Sequence, residues 1–236
     1  MFKQLLGREQ KNTSKQPEKL ESFVLQTTKD QHKVTDISKE LYEKGIVNTE
    51  EYFALVIDNF MTKSECEELI KLTESVGYDQ ALVNVGGGRQ KLMPDVRSSD
   101  RCIIDDERVA EMFYQQTKDY IPQNFLNDKW TKISINERLR FLRYQKGGYF
   151  KPHHDGCYVR PDGNEQSFVT FFLFLNEECD GGASTFVSLK DLSVTYPCEP
   201  KTGRLILFQH NIFHEGSLVK GGHKYALRSD FMYKKS

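Results

Sequence analysis

What this chain has little of narrows its class before any motif is read. Its five cysteines, Cys66, Cys102, Cys157, Cys179 and Cys198, are odd in number and form no CxxC pair. That argues against both a disulfide framework and a cysteine-ligated zinc site. No apolar run approaches the length that spans a bilayer, so no membrane partner is expected. The opening MFKQLLGREQKNTSKQ lacks the apolar core of a secretion signal. Together with the cysteine count, this makes a reducing compartment, cytoplasmic or nuclear, the expected location. Net charge is also lacking: 33 Lys and Arg against 34 Asp and Glu leave −1. Such a balance offers no global attraction for nucleic acid. Nothing in the sequence speaks to oligomeric state.

What is present is ordinary globular material, 38% hydrophobic and 28% charged, and enough of it to bury a core. Residues 1 to about 20 are polar and rich in Lys and Gln. With the mixed stretch that follows, residues 1–50 read as an N-terminal extension, partly disordered. The compact domain is expected over 51–236. Within the extension, Asp36 to Ile46 predicts one short helix with Asp36 as its N-cap and Gly45 near its end. Tyr52–Phe60 has the aromatic and β-branched richness of a strand. A helix is predicted from Thr62 or Ser64 to about Val76, and another from Asp105 or Asp106 to about Ile121. Between them, Asn84 to Arg101 reads as a long loop broken by Gly86, Gly87, Gly88 and Pro94, a candidate lid. Beyond Trp130 the signal is strands, at Arg138–Tyr144, Phe168–Asn176, Thr185–Val187, Gly203–His210 and Lys224–Tyr233. The class is therefore α+β, a β-sandwich or jelly-roll barrel with helices packed on one sheet.

The chemistry concentrates in YQKGGYFKPHHDG, Tyr144 to Gly156. On an extended chain residues two apart share a face, so His153 and Asp155 point together and His154 points away. A distal histidine would complete a two-His, one-carboxylate facial triad, which leaves open positions on Fe(II). The candidates are His32, His210, His214 and His223. His32 lies in the weakly patterned N-terminal region. His210 ends an apolar strand, as a packed or hydrogen-bonded histidine would, and His223 sits in an exposed Gly-Gly-His turn. His214, in FHEGS, is preferred, because Gly216 frees the backbone for a turn beside a metal.

The surrounding segments SFVTFFLFLN, GGASTF and KTGRLILFQHNIFHEGSLVKGGHKYALRSD follow this motif in order. The whole of Tyr144 to Tyr233 resembles the prolyl 4-hydroxylase branch of the 2-oxoglutarate/Fe(II) dioxygenases. More weakly, DVRSSDRCII resembles the Arg-x-Ser substrate loop of those enzymes. Residues 1–50 resemble nothing comparable. Ser184 stands where the turn usually has Thr, which keeps the hydroxyl.

That resemblance implies a double-stranded β-helix (jelly-roll) core and iron ligands His153, Asp155 and His214. It implies Fe(II), 2-oxoglutarate as co-substrate, O2, and ascorbate as reductant. The far carboxylate of 2-oxoglutarate needs a buried cation. Lys224, ten residues after His214, matches the lysine of collagen-type prolyl hydroxylases, with Arg228 on the same strand face as its rival. Tyr144 matches a tyrosine lining the co-substrate pocket. Phe174 stands where several relatives place a tyrosine that bonds the far carboxylate, so that contact is expected to shift to Thr170 or Tyr144. Arg97, Arg143 and Arg160 are candidate substrate contacts, with solvated surface arginines as the plain alternative. The activity implied is hydroxylation of an aliphatic C–H, best placed on a prolyl residue of a protein or peptide. The alternatives are a free amino acid or other small molecule as substrate, a non-catalytic jelly-roll binding module, and a zinc hydrolase on the same ligands.

Overall fold

The protein is described here by a computed structural model over residues 20–86 and 89–236. Two antiparallel sheets dominate it. The larger has ten strands, and its main path runs Lys33–Asp36, Ala54–Asp58, Leu205–Gln209, Glu165–Phe174, Lys224–Lys235, Arg138–Tyr144, Asp100–Asp105 and Asp79–Gln80. The smaller runs Thr195–Cys198, Ser184–Val187, His214–Gly216, Tyr149–His153 and Arg97–Ser98. This β-rich architecture is consistent with a jelly-roll core.

Strand parity explains why the central strands are apolar on both faces. In Arg138–Tyr144, Leu139 and Phe141 enter one core, shared with Cys66, Leu69, Val109 and Phe113 of the helices. Leu142 and Tyr144 enter a second core, shared with Phe186 and Cys198 of the smaller sheet. The same division separates Phe171 and Leu173 from Phe172 and Phe174, and Leu205 and Leu207 from Ile206 and Phe208. A sheet covered on both sides needs apolar residues at both parities. The two longer helices therefore pack on one face of the large sheet, and the smaller sheet with the short helix Ser38–Glu43 covers the other, where the site is built.

The helix Lys63–Val76 starts at Thr62 with a reciprocal capping box to Glu65. The Glu65 carboxylate also accepts from the backbone N–H groups of Gln26 and Thr27 and from the Thr27 hydroxyl. It thereby fastens the preceding segment to the domain. The second helix, Glu107–Thr117, starts at Asp106, whose side chain accepts from the Val109 N–H.

Residues 20–50 are consequently not an extension, and the boundary expected at residue 51 moves to Leu20 or earlier. Leu20 and Phe23 are buried in the first core, and Ile37, Leu41, Ile46 and Val47 in the second. Lys33–Asp36 pairs with Ala54–Asp58 as an edge strand. The apolar residues here are few, and Leu20, Phe23, Ile37, Leu41, Ile46 and Val47 are buried while Val24, Val34 and Tyr42 stay exposed, a division that average composition conceals. The predicted helix shrinks to Ser38–Glu43 with Ile37 at its N-cap, because Asp36 is drawn into the edge strand opposite Leu55. The disorder expected for residues 1–19 lies outside the described residues, as do Gly87 and Gly88 of the predicted lid. The rest of that stretch is more ordered than a loop. Val83–Asn84 pairs with Gln90–Lys91, Arg97–Ser98 joins the smaller sheet and Asp100–Asp105 the larger. Among the described residues no helix is long and apolar enough to cross a membrane.

Candidate active site

Tyr149–His153 and His214–Gly216 are neighbours in the smaller sheet, with His153 directly opposite His214. Opposed residues of an antiparallel pair share a face, and the two ring centroids are 4.4 Å apart. The chain then leaves the strand, and the Asp155 N–H donates to the His210 carbonyl. That bond turns the carboxylate to the same point, 3.7 Å from His153 Nε2 and 3.8 Å from His214 Nε2. The three ligand atoms lie within 4.8 Å of one another. His154 faces the other way, its ring 5.0 Å from that of Phe213.

Both imidazoles are oriented from behind. His153 Nδ1 bonds the Lys151 carbonyl at 2.8 Å and His214 Nδ1 the Ile212 carbonyl at 3.0 Å. Each Nδ1 must carry the proton to donate to a carbonyl, which leaves each Nε2 lone pair facing the gap. Phe150 stacks on His153 at 3.6 Å, and Phe208 lies edge-on to His214 at 4.8 Å. Burial pushes His153 down to about 3 and lowers His214 as well. For Asp155, burial alone would raise the value, but Arg228, His214 and His153 hold it well below the usual carboxylate range. At neutral pH the cluster is two neutral imidazoles and one carboxylate, the protonation state a metal requires. Two nitrogens and one oxygen on one side fit the open facial arrangement of non-haem Fe(II).

Asp155 also ends a directed chain of hydrogen bonds. Thr170 Oγ1 donates to Asp155 Oδ2 at 2.6 Å, so its remaining contact, 2.8 Å from His210 Nδ1, is one in which it accepts. His210 Nε2 must then accept, and Ser167 Oγ, itself an acceptor from the Tyr158 N–H, donates to it at 2.8 Å. A register shift between Ser167 and Val169 lets Ser167 and Thr170, three apart, reach the same ring. On the other side, Arg228 Nη2 meets Asp155 Oδ1 at 3.0 Å and Asp230 Oδ1 at 3.2 Å. Arg140 reaches Asp230 at 3.0 Å.

The cluster opens into a cavity of about 720 Å³ lined from both sheets. Lys224 is at one end of it, 1% exposed, with its ammonium 5.0, 5.3 and 5.1 Å from the ring centroids of Tyr144, Phe172 and Phe174. Among the described residues it has no hydrogen-bond or ion-pair partner. Burial pushes it down to about 7.

The structure brings together His153, Asp155, His214, Lys224, Tyr144, Arg228 and Arg97. Arg97 is buried, bonds the Ser99 hydroxyl at 2.7 Å and lies over the Phe150 ring. Four expectations change. Thr170 does not line the cavity; it sits behind the metal cluster and bonds Asp155. Arg143 has the parity opposite to Tyr144 and pairs with Glu74 and Asp100 on the helix-covered face. Arg160 is held by Glu137 and Glu165. Gly216 lies in a strand rather than a turn, opposite Phe150, whose Cβ an added methyl would touch at 3.4 Å. The reading of RLRFLRY missed that Arg138, Arg140 and Tyr144 share a parity, so Arg138 and Arg140, not Arg143, face the cavity. His210 is the packed, hydrogen-bonded histidine that its strand position suggested, and His223 is exposed.

Comparison with known proteins places this geometry. Residues 139–229 match the model of the 2OG-Fe(II) oxygenase superfamily. A probable prolyl 4-hydroxylase 8 of Arabidopsis thaliana is 27% identical over 146 residues, 58% of this chain and 46% of the relative. The chain thus spans about half the length of the curated relatives it matches. A prolyl-4-hydroxylase from Pseudomonas putida superposes with a TM-score of 0.54 at 18% identity, over 85% of this chain and 97% of that one. A Trichoplax adhaerens prolyl hydroxylase, solved with a peptide fragment of the hypoxia inducible factor oxygen degradation domain, gives 0.54 at 18% identity, over 82% and 90%. At these identities the two structures support the fold alone.

Proposed function

We propose that the chain is a 2OG-Fe(II) oxygenase of the prolyl 4-hydroxylase-like kind, to whose family model and curated relatives it is similar, and that it hydroxylates an aliphatic C–H of a prolyl residue in a protein or peptide. The observation that carries this reading is Lys224, a buried cation with no carboxylate partner among the described residues, in the same cavity as a His/Asp/His cluster. A buried charge left unpaired is costly, so a site that keeps one is built for an anionic ligand. The far carboxylate of 2-oxoglutarate suits it. Arg228, already opposed by Asp155 and Asp230, has the different task of holding the metal carboxylate in place. The core is read as a double-stranded β-helix, with its mouth at the cluster.

His153, Asp155 and His214 would hold Fe(II), and Tyr144 would flank the co-substrate. Iron with 2-oxoglutarate and O2 supplies the oxidant that turns C–H into C–OH, 2-oxoglutarate leaving as succinate and CO2. The chain's own residues bind, orient and exclude water. Phe150 and Phe208 brace the imidazoles, the Ser167–His210–Thr170 chain fixes Asp155, and Arg97 lies where it would steer the substrate. The peptide reading draws support from the Trichoplax relative, whose structure holds a peptide.

Succinate formation from 2-oxoglutarate with Fe(II) and ascorbate tests the proposal, in the native protein and in His214→Ala. Iron-dependent turnover that His214→Ala abolishes is expected. Hydrolysis of a peptide or ester panel with Zn(II), with no succinate formed with Fe(II), would replace the oxygenase with a hydrolase. No iron-dependent turnover across proline peptides and small molecules would favour a binding module.

A further inference from the structure

Arginines line the same cavity as Lys224. Arg138, Arg140, Leu142 and Tyr144 face it from one strand. Arg101 lies across from Leu142 on the neighbouring strand, and Arg228 across from Arg140 on the other side. Arg97 enters from the smaller sheet. Five guanidinium groups therefore line one cavity with Lys224.

Three of the five are matched by carboxylates. Asp105 meets Arg138 at 2.8 Å, Asp230 meets Arg140 at 3.0 Å, and Arg228 has both Asp155 and Asp230. Arg97 and Arg101 form no ion pair among the described residues. Arg97 donates to the Ser99 hydroxyl and Arg101 to the Gln90 amide oxygen at 3.0 Å. Both are neutral partners that leave the charge standing. Burial, and then Arg97, Arg140, Arg138 and Arg228 beside it, hold Arg101 down to about 10. On the reading above the metal takes Asp155 and 2-oxoglutarate takes Lys224. Asp79 stands opposite Arg101 on the next strand but forms no ion pair with it among the described residues, and Glu137 is taken by Arg160, so an anion brought by the substrate would find Arg101 unmatched.

We propose that the substrate supplies it: a peptide whose Asp or Glu side chain, close to the hydroxylated residue, docks on Arg101. The proposal rests on the dioxygenase reading of the same site. Arg101 Nη2 is occupied by Gln90, and the other donors of its fork remain for a carboxylate, which a planar guanidinium grips well. Arg101 and Arg228 stand two strands apart and two residues out of register, roughly 12 Å. An extended peptide covers that distance in about four residues. The acidic residue is therefore expected within about four positions of the one that reaches the metal.

The test uses the protein loaded with Mn(II) and 2-oxoglutarate, with a library of peptides carrying a central proline and randomised flanks. Retained peptides are sequenced. Enrichment of Asp or Glu near the proline by about tenfold, the weight of one charge-assisted hydrogen bond, is expected. It should vanish in Arg101→Gln and persist in Arg101→Lys. A retained pool with neutral or basic flanks, no retained peptide, or acidic enrichment that survives Arg101→Gln would overturn the proposal. Competition by free L-proline as strong as by the selected peptide would put the carboxylate on a small molecule and overturn it equally. Thermal melting confirms that Arg101→Gln is folded, and the lysine variant keeps the charge argument open if it is not. Succinate formation without peptide reports the dioxygenase reading separately, so failure of one is distinguishable from failure of the other.

Discussion

Lys224 and Arg228 stand four residues apart on one face of one strand, both open to the same cavity, and their surroundings are opposite. Arg228 meets two carboxylates, Asp155 and Asp230, that the fold itself supplies. Among the described residues Lys224 meets three aromatic rings and no carboxylate. The sequence left both open as holders of the 2-oxoglutarate far carboxylate, because strand parity treats them alike. Their counter-ions separate them. A cation whose charge is already balanced belongs to the architecture of the metal centre, and a cation whose charge is unbalanced is reserved for a ligand. The residue types suit these tasks. Arginine stays charged and grips two partners at once, whereas a buried lysine titrates readily.

The largest expected effects break that contrast directly, and they have opposite signs. Arg228→Met takes the cation from buried Asp155 and leaves Asp230 with Arg140 alone. The metal-free protein should lose about 3–5 kcal/mol in chemical denaturation, the usual cost of orphaning a buried charge. Mn(II) should restore part of this, since the metal then neutralises Asp155. Unchanged stability would mean that the ion pairs are incidental. Lys224→Met instead removes an uncompensated buried charge, so metal-free stability should hold or rise by about 1 kcal/mol. The affinity of the Mn(II)-loaded protein for 2-oxoglutarate should meanwhile fall on the order of 100-fold, two decades for a lost charge-assisted contact. If that affinity is unchanged, the far carboxylate is held elsewhere.

A smaller effect follows from pH. Burial lowers Lys224 to about 7, and a bound carboxylate would raise it again. A group whose value rises on binding gives its full contribution below the free-state value and loses it as pH climbs through that value. The affinity for 2-oxoglutarate should therefore be greatest below about pH 7 and weaken by up to about tenfold per unit above it. His153, pushed down to about 3, does not titrate in this window. Calorimetric titration across pH 6.5–8.5 would show the slope, and Lys224→Met should flatten it. A flat profile in the native protein would mean that the ammonium is not the group 2-oxoglutarate meets.

The strong features of this fold were legible because they are periodic or local. The helices at Lys63–Val76 and Glu107–Thr117 carry capping residues, and the strand at Arg138–Tyr144 alternates. Spacing puts His153 and Asp155 on one face, and the resemblance of the segments around them and around His214 is what made the three ligand candidates. The rest is tertiary. Residues 20–50 looked like an extension because Leu20, Phe23, Ile37 and Leu41 are sparse in a polar stretch, and only packing shows that all four are buried. Arg143 and Arg160 were chosen for their nearness in sequence to the metal motif, but parity and pairing carry both away from the cavity. Arg97, Arg101, Arg138 and Arg140 line one cavity only after two strands of the large sheet are paired and the smaller sheet is brought against them, and a net charge of −1 hides the grouping. The roles of Arg228 and Thr170 on Asp155 depend on contacts that no spacing encodes.

Thr170 gives the finest test, because it probes the opposite side of Asp155 from Arg228. Thr170→Val keeps the shape but removes the donor to Asp155 Oδ2 and the acceptor for the His210 Nδ1–H. The orphaned His210 N–H should cost about 1–3 kcal/mol of stability. The carboxylate should lose only part of its orientation, because Arg228 still holds Oδ1 at 3.0 Å. Mn(II) affinity by calorimetry is therefore expected to fall by no more than about tenfold, the low end for partners behind a metal ligand. Thr170→Ser keeps the hydroxyl and should stay near the native value. If serine loses as much as valine, packing of the Thr170 methyl rather than the hydrogen bond sets the carboxylate. If neither changes metal binding, Arg228 alone orients Asp155, and the Ser167–His210–Thr170 chain serves the core rather than the metal.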